Sequence, residues 1–413
     1  MFIHIDCNAY FASCEIAANR TLEGKPVVVA NDNAAGGGII LALNAQAKAF
    51  GLRRGMPLFQ VRSLISLNHV NVCQVRHRLY HDISGRIMRR VQQQGLVVDF
   101  VQYSVDEFFG TMPLDDPDEL RHYVGMVKAM IWEEEHIPVS CGCGQTYTLA
   151  KVATHFAKTY KGYKGICVLT DEKRQEALRL LPVGEVWGIG RKLGKRLEAA
   201  GVRTAHDLAT LADEQAAQLL NTTGLRTLKE LRGTPCMALE RPAMQSSIMQ
   251  SSTFAFMVER QEELESAAKG FAQTCCATLR KQGGLCGTAT LFLATNRHRP
   301  DLPQYANEAT HKFRTPTSDT ATVLKATVEL LKSIYRPSYQ YKRMGVVLAG
   351  IVPVEGSQMD LFNVPNNERR QRLMQVTDAI NSKFGEGTIA FSSTKEDHRD
   401  RNAPLTYPND PYK

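Results

Sequence analysis

Three acidic side chains, far apart along the chain, could do chemistry together. Asp6 ends a short apolar run, Phe2-Ile3-His4-Ile5. Asp106 and Glu107 stand side by side at the polar centre of residues 96–112 (LVVDFVQYSVDEFFGTM), two β-rich runs that read as a hairpin. If the two strands are neighbours, three carboxylates converge, and like charges at close range repel unless cations sit among them. Hard oxygen donors of this kind select Mg²⁺. Two such ions about 4 Å apart activate an attacking hydroxyl and stabilise a leaving phosphate oxygen. An isolated Asp-Glu pair is more often a solvated turn. Here it is embedded between Tyr103 and Phe109, where an unpaired charge is costly. Neighbouring strand residues point to opposite faces, so Asp106 and Glu107 can serve one site only if the backbone bends at the hairpin end.

The elements that must carry these residues read as follows. Residues 2–5 form a buried strand, 9–18 a helix, 26–30 a second buried strand, 31–38 a loop, and 44–50 a helix capped at Gly51. Residues 145–160 form an amphipathic helix: Leu149, Val152 and Phe156 share its apolar face, while Lys151 and Lys158, two turns apart, share the opposite one. Short helices follow at 172–181, 189–200, 204–210 and 213–220. Pro242 and residues 244–252 read as a linker. Residues 253–352 mix strands (287–294, 344–352) with helices (262–282, 319–335), an α+β pattern. A helix near 366–384 lies in an otherwise polar tail, 353–413.

Composition narrows the function classes. With 413 residues the chain holds two to four domains. Its 43% apolar and 22% charged content is that of an ordinary globular protein. A net charge of +8 suits a polyanionic partner. The ten cysteines show no zinc spacing and read as reduced, core-filling thiols. The N-terminus is not a signal peptide, and no apolar run reaches the roughly 18 residues of a membrane span. The expected location is cytoplasmic.

Six segments, in order, resemble the motifs of the Y-family DNA polymerases: Asp6-Cys-Asn-Ala-Tyr-Phe-Ala-Ser-Cys-Glu15, Gly24-Lys-Pro-Val-Val-Val29, Asn44-Ala-Gln-Ala-Lys48, Ser104-Val-Asp-Glu107, Gln145-Thr-Tyr-Thr-Leu-Ala-Lys151 through Lys158, and Val186-Trp-Gly-Ile-Gly190. The resemblance covers about residues 1–352 and is strongest through 240. Asn-Ala-x-Ala-Lys at 44–48 and Leu231-Arg-Gly-Thr-Pro-Cys236 look like the UmuC type, the catalytic subunit of bacterial DNA polymerase V.

That resemblance implies a multidomain α/β and α+β fold, the right-hand polymerase. Its parts would be a ferredoxin-like palm (1–25 and 81–170), small fingers (26–80), a helical helix-hairpin-helix thumb (171–240), an α+β little finger (241–352) and a tail (353–413). It implies that Asp6, Asp106 and Glu107, with the Cys7 carbonyl, hold two Mg²⁺ ions. Phe11 matches the steric gate that leaves no room for a 2′-hydroxyl; the plain alternative is a core aromatic. Lys48 and Lys158 match triphosphate contacts, against the alternative of solvated surface lysines. Tyr10 and Asn44 would lie near the nucleotide, and Ser104 near the primer end. Glu15 fits a helical structural role as well as a catalytic one. Gly188 and Gly190, followed by Arg191, Lys192 and Lys195, would bind DNA phosphate at a helix N-terminus. Residues 244–352 carry 13 Lys/Arg against 8 Asp/Glu, a net of +5 that suits backbone binding. Gln358, Leu361 and Phe362 resemble the peptide that docks on the sliding clamp.

The implied activity is error-prone, template-directed DNA synthesis past lesions within the SOS response. The implied partners are primer-template DNA, dNTP, the sliding clamp, a processed UmuD dimer and RecA, with a nucleoid-associated location. Two rivals stand beside it: a catalytically inactive polymerase-like scaffold on DNA and clamp, and a nucleotidyl cyclase sharing the palm. Three positions depart from the family pattern: Tyr147 in place of Lys, Phe108 in place of Ala, and the 31–38 loop.

Overall fold

The computed structural model describes residues 1–31, 38–239, 244–354, 367–385 and 388–389. The chain divides into two compact units, Met1–Glu240 and Arg241–Thr406. The first opens with β1 (Phe2–Cys7) and α1 (Tyr10–Ala18). A small excursion follows: β2 (Val27–Ala30), β3 (Ile40–Leu43), α2 (Ala45–Ala49), α3 (Leu58–Leu67) and β4 (Asn71–Gln74). Then α4 (His77–Gln94) leads to the hairpin β5 (Val98–Gln102) and β6 (Glu107–Thr111), followed by α5 (Pro117–Glu135), β7 (Val139–Gly144), α6 (Tyr147–Thr159) and β8 (Ile166–Val168).

These strands make a sheet of order β5-β6-β1-β7-β8 and a separate three-stranded sheet β3-β2-β4 within the excursion. The first four strands of the large sheet have the ferredoxin-like βαββαβ order, and β8 adds a parallel edge to β7. β1 is central, antiparallel to β6 on one side and β7 on the other. Both faces of β1 are covered, which is why Ile3, His4 and Ile5 are all buried and the strand lacks polar alternation. The excursion has a core of its own around Val28, Ile40, Leu43 and Leu52.

α6 lies directly on β7. A Cβ at Gly142 would fall 2.2 Å from the Thr154 nitrogen and 2.4 Å from the Ala150 carbonyl, so only glycine permits this approach. Gly142→Ala should therefore cost about 3 kcal/mol or more, because backbone cannot swing aside as a flexible side chain would. Chemical denaturation of the variant checks this, and wild-type stability would contradict it.

The other side of α6 faces a helical segment made of α7 (Asp171–Leu180), α8 (Arg191–Ala199), α9 (Ala205–Ala209), α10 (Asp213–Leu219) and α11 (Thr222–Leu231). α11 locks the N-terminus of α6. The buried Glu230 carboxylate accepts the Thr148 N–H at 2.9 Å and those of Cys236 and Met237 at 3.0 and 2.9 Å. The first of these charge-assisted bonds satisfies a donor that the start of α6 leaves open, and the other two pin the segment after α11.

The second unit contains β9 (Ser247–Val258), α12 (Gln261–Lys281), β10 (Gly284–Thr295), β11 (Ala306–Thr317), α13 (Thr320–Ile334), β12 (Tyr341–Pro353) and α14 (Asn367–Phe384). Its first six elements repeat the βαββαβ string, but the sheet order is β11-β10-β12-β9. Residues 244–252 correct the linker expectation: from Ser247 onward they are β9, paired with β12 from Ser247↔Ala349 onward. An edge strand with a largely solvated face lacks the apolar run that announces a strand. β11, equally polar, escapes for the same reason. α14 is held by Arg280, which donates to both Asp378 oxygens at 2.7 Å. Gln358, Leu361, Phe362 and most of the 31–38 loop lie outside the described residues. Among the described residues no helix is long and apolar enough to cross a membrane. Nine of the ten cysteines are buried, as core fillers would be.

Candidate active site

Register brings the acids together. Asp6 stands directly opposite Glu107 in the β1–β6 ladder. Opposed residues share a sheet face, with Cβ atoms about 4.5–5.5 Å apart. Asp106 precedes β6, within the hairpin turn, and its carbonyl accepts the Cys7 N–H at 2.8 Å. The turn is closed by the Glu107 carbonyl, which accepts the N–H groups of Tyr103 and Ser104 at 2.9 and 3.1 Å. Asp106 is thus off the pleat and released from the alternation that would send it to the opposite face.

Each carboxylate is turned to its own partner. Lys158 of α6 donates to Asp6 Oδ1 at 2.7 Å. Ser104 Oγ pairs with Asp106 Oδ1. Lys151, also of α6, lies 3.0 Å from Glu107 Oε1. Among the described residues no three His, Cys, Asp or Glu side chains are gathered as a ready-made metal cage. The acids lie side by side through their backbones, each engaged by its own partner.

Electrostatics separates the two strand-borne acids. Burial pushes the Asp6 carboxyl up, and the Lys158 ammonium only partly offsets it. Burial also acts to raise Glu107, but His4 and Lys151 outweigh it and hold the group at about 2. His4 is itself lowered, first by burial. Its Nδ1 meets Thr154 Oγ1 at 2.9 Å, while Nε2, buried and without a hydrogen-bond partner, faces Glu107 Oε1 at 3.6 Å. That separation is too long for a hydrogen bond and becomes an ion pair only when the imidazole is protonated.

Other sequence-singled residues fall into two groups. Phe11 is half-buried, stacked on Tyr80 at a centroid distance of 4.3 Å and edge-on to His77 at 6.1 Å. Lys48 and Lys158 are exposed enough to meet a ligand. Tyr10 and Asn44, by contrast, serve the fold. The buried Tyr10 donates to the Tyr80 carbonyl at 2.6 Å. Asn44 caps α2 through Ala47 and ties the start of β2 through Val27 and Lys25. Glu15 is likewise structural, because Arg76 and the Tyr80 hydroxyl take both its oxygens.

Past the end of α7, Gly188 has φ +86° and Gly190 caps α8, whose Arg191, Lys192 and Lys195 are exposed. A side chain at Gly188 would also meet Thr227 Oγ1 at 2.6 Å. Residues that sequence reasoning passed over are His4, Tyr103 and Trp187. His4 and Tyr103 stand two and three positions before an acid, and Trp187 lies inside the Val186–Gly190 segment, but none carries a role of its own at the level of sequence. The two side-chain departures find uses: Phe108 is buried against Phe100, and Tyr147 packs on Phe2 and Phe109.

Comparison with known proteins places the chain. Residues 5–155 match the impB/mucB/samB family, 245–361 its C-terminal domain, and 171–202 the HHH motif of the IMS family. Residues 371–400 match a domain of unknown function (DUF4113). Protein UmuC of Salmonella typhimurium (strain LT2) is 33% identical over 95% of this chain and 93% of its own length. MucB of Escherichia coli is 33% identical over 95% and 92%. A DNA polymerase IV of Desulfatibacillum aliphaticivorans is 26% identical over 94% and 95%. Among solved structures, a Y-family DNA polymerase chimera of Dbh and Dpo4 superimposes with TM-score 0.69 at 21% identity, covering 85% of this chain and 99% of that one. With a ferredoxin-like sheet, a helix-hairpin-helix segment and the matched C-terminal domain all in place, the chain belongs to the impB/mucB/samB family, the UmuC-like Y-family of DNA-directed DNA polymerases.

Proposed function

We propose that this chain synthesises DNA past lesions by transferring a deoxynucleotide from dNTP to a primer 3′-hydroxyl, with Asp6, Asp106, Glu107 and the Cys7 carbonyl as ligands for divalent cations. The observation that carries the reading is the β1–β6 register, which sets Asp6 opposite Glu107 with Asp106 bonded to the next residue of β1. The donors fit Mg²⁺: all are oxygens, and burial leaves Asp6 short of positive charge even beside Lys158. When bound, two such ions would activate the hydroxyl and neutralise the leaving pyrophosphate.

The chain's own groups supply the rest. Lys158, released from Asp6 when a cation takes its place, and Lys48 meet triphosphate charge. Ser104 orients Asp106 and the primer end. Gly188 and Gly190 let backbone amides approach a DNA phosphate, and Arg191, Lys192 and Lys195 add charge, positioning DNA without reading sequence. In the second unit, the sheet face away from α12 and α13 presents Thr288, Thr290, Thr310, Lys312, Arg314 and Arg343, a surface suited to a phosphate backbone. Residues 1–25 and 81–170 then act as palm, 26–80 as fingers, 171–240 as thumb and 241–352 as little finger.

Within an SOS response in the cytoplasm, at the nucleoid, the partners would be a processed UmuD dimer, RecA and the sliding clamp, the last through Gln358, Leu361 and Phe362. Primer extension across an abasic site, with Mg²⁺ and with or without those partners, tests the whole reading. Binding of DNA without extension would instead identify a scaffold. Deleting Leu361 and Phe362 should reduce clamp-stimulated synthesis to the basal rate, and undiminished stimulation would reject the docking peptide.

A further inference from the structure

The turn before α8 reaches the carboxylate site. Lys151 Nζ lies 5.1 Å from the ring centroids of both Trp187 and Tyr103 and 5.7 Å from that of Phe109, while touching Glu107 Oε1 at 3.0 Å. The rings brace one another: Tyr103 meets Phe109 and Trp187 edge-to-face at 5.5 Å, and Phe109 meets Trp187 at 5.5 Å. Each ring attracts an ammonium, and together they remove the freedom a lysine has at an open surface. The Lys151 side chain is only 18% exposed. Trp187 is anchored in turn, because its carbonyl accepts Thr227 Oγ1 at 3.1 Å beside the left-handed Gly188.

We propose that Lys151 and Trp187 are positioning residues for the polymerase reaction: Trp187 holds the Lys151 ammonium against Glu107 Oε1, so that the seating of the hairpin at 187–190 fixes the aim of an acid on β6. This rests on the reading of Glu107 as a cation ligand. The arrangement has a signature of its own. Lys151 aims Glu107 but also repels any cation that Glu107 binds, because like charges stand close together. Its removal must therefore lower turnover while tightening cation binding, whereas general damage to the fold would weaken both.

The test uses the full chain and five variants: Glu107→Gln, Lys151→Met, Lys151→Arg, Trp187→Leu and the Lys151→Met/Trp187→Leu double. Single-nucleotide primer extension gives kcat. The free-Mn²⁺ electron paramagnetic resonance signal gives Mn²⁺ affinity without nucleotide. In Lys151→Met, kcat should fall about tenfold or more while the Mn²⁺ half-saturation drops roughly threefold. Lys151→Arg should recover kcat to within about threefold of wild type, since it keeps both charge and ring contact. Trp187→Leu should lower kcat about fivefold and tighten Mn²⁺ binding by less than Lys151→Met does, with no further loss of kcat in the double variant beyond that of Lys151→Met, as expected of residues acting through one contact.

A Lys151→Met kcat within about twofold of wild type beside a dead Glu107→Gln would overturn this proposal alone. So would additive losses in the double variant, or a joint fall in kcat and Mn²⁺ binding that Arg does not rescue. Full activity of Glu107→Gln would overturn the ligand reading and this proposal with it.

Discussion

Asp106→Asn should abolish templated synthesis, by about 10³-fold or more, and leave the protein folded. The magnitude follows from the task assigned to the acid. On the proposed reading, a cation held by these acids would offset charge developing on the phosphoryl oxygens, and losing one anionic ligand would remove several kcal/mol of that stabilisation; about 4 kcal/mol is a factor of 10³ in rate. The fold survives because the Asp106 side chain stands half-exposed in a turn, beside Ser104, and the structural bond at this residue, Cys7 N–H to the Asp106 carbonyl, belongs to the backbone. Substitutions at such positions usually change stability by about 0.5 kcal/mol or less. Single-turnover primer extension with Mg²⁺, beside a thermal melt, checks both halves. Synthesis at wild-type speed would end the two-ion reading, and a collapsed melt would recast Asp106 as a structural residue.

Much of the scaffold is legible in the sequence because the carrying elements are strongly patterned. Residues 2–5 and 96–112 are apolar and β-branched, and 145–160 has a helical apolar face; all three emerge within a residue or two as β1, the β5–β6 hairpin and α6. Asp6 and Glu107 meet because those strands are neighbours, which composition permits but register alone decides. What stays hidden is pairing across long separations. No local pattern says that Lys151 meets Glu107 or that Trp187 closes over Lys151, because these contacts depend on how α6 sits over the sheet and against the turn before α8. Tyr10 and Asn44 show the reverse limit: a motif position near the expected nucleotide is occupied by a residue whose polar atoms are engaged in the fold itself. β9 and β11 escape because edge-rich polar strands obey solvent on one face and lose the hydrophobic run that periodicity reads.

Sugar selectivity is the second large effect, and Phe11→Ala should reduce discrimination against ribonucleotides by about 100-fold, equivalent to about 2.7 kcal/mol. A gate excludes only if it cannot yield, so the support behind the ring matters as much as the ring. Phe11 is stacked on Tyr80 at 4.3 Å with an interplanar angle of 14°. Tyr80 is buried, its hydroxyl donates to Glu15 Oε1 at 2.7 Å, and its carbonyl accepts the Tyr10 hydroxyl. Glu15 in turn is clamped by Arg76 at 2.7 Å. If Phe11 is the gate, a 2′-hydroxyl arriving there would press on a wall backed by a satisfied buried network, and the clash would not be relieved by a cheap rotamer change. On that reading the structural bonds of Tyr10 and Glu15 would stiffen Tyr80, the residue beneath the gate. Glu15→Gln would keep the ring yet slacken its support, so its selectivity loss should lie between wild type and Phe11→Ala. The measurement is kcat/KM for each dNTP against its ribonucleotide. Equal discrimination in Phe11→Ala and wild type would return Phe11 to the status of a core aromatic. Loss in Phe11→Ala with none in Glu15→Gln would confine the gate to the ring alone.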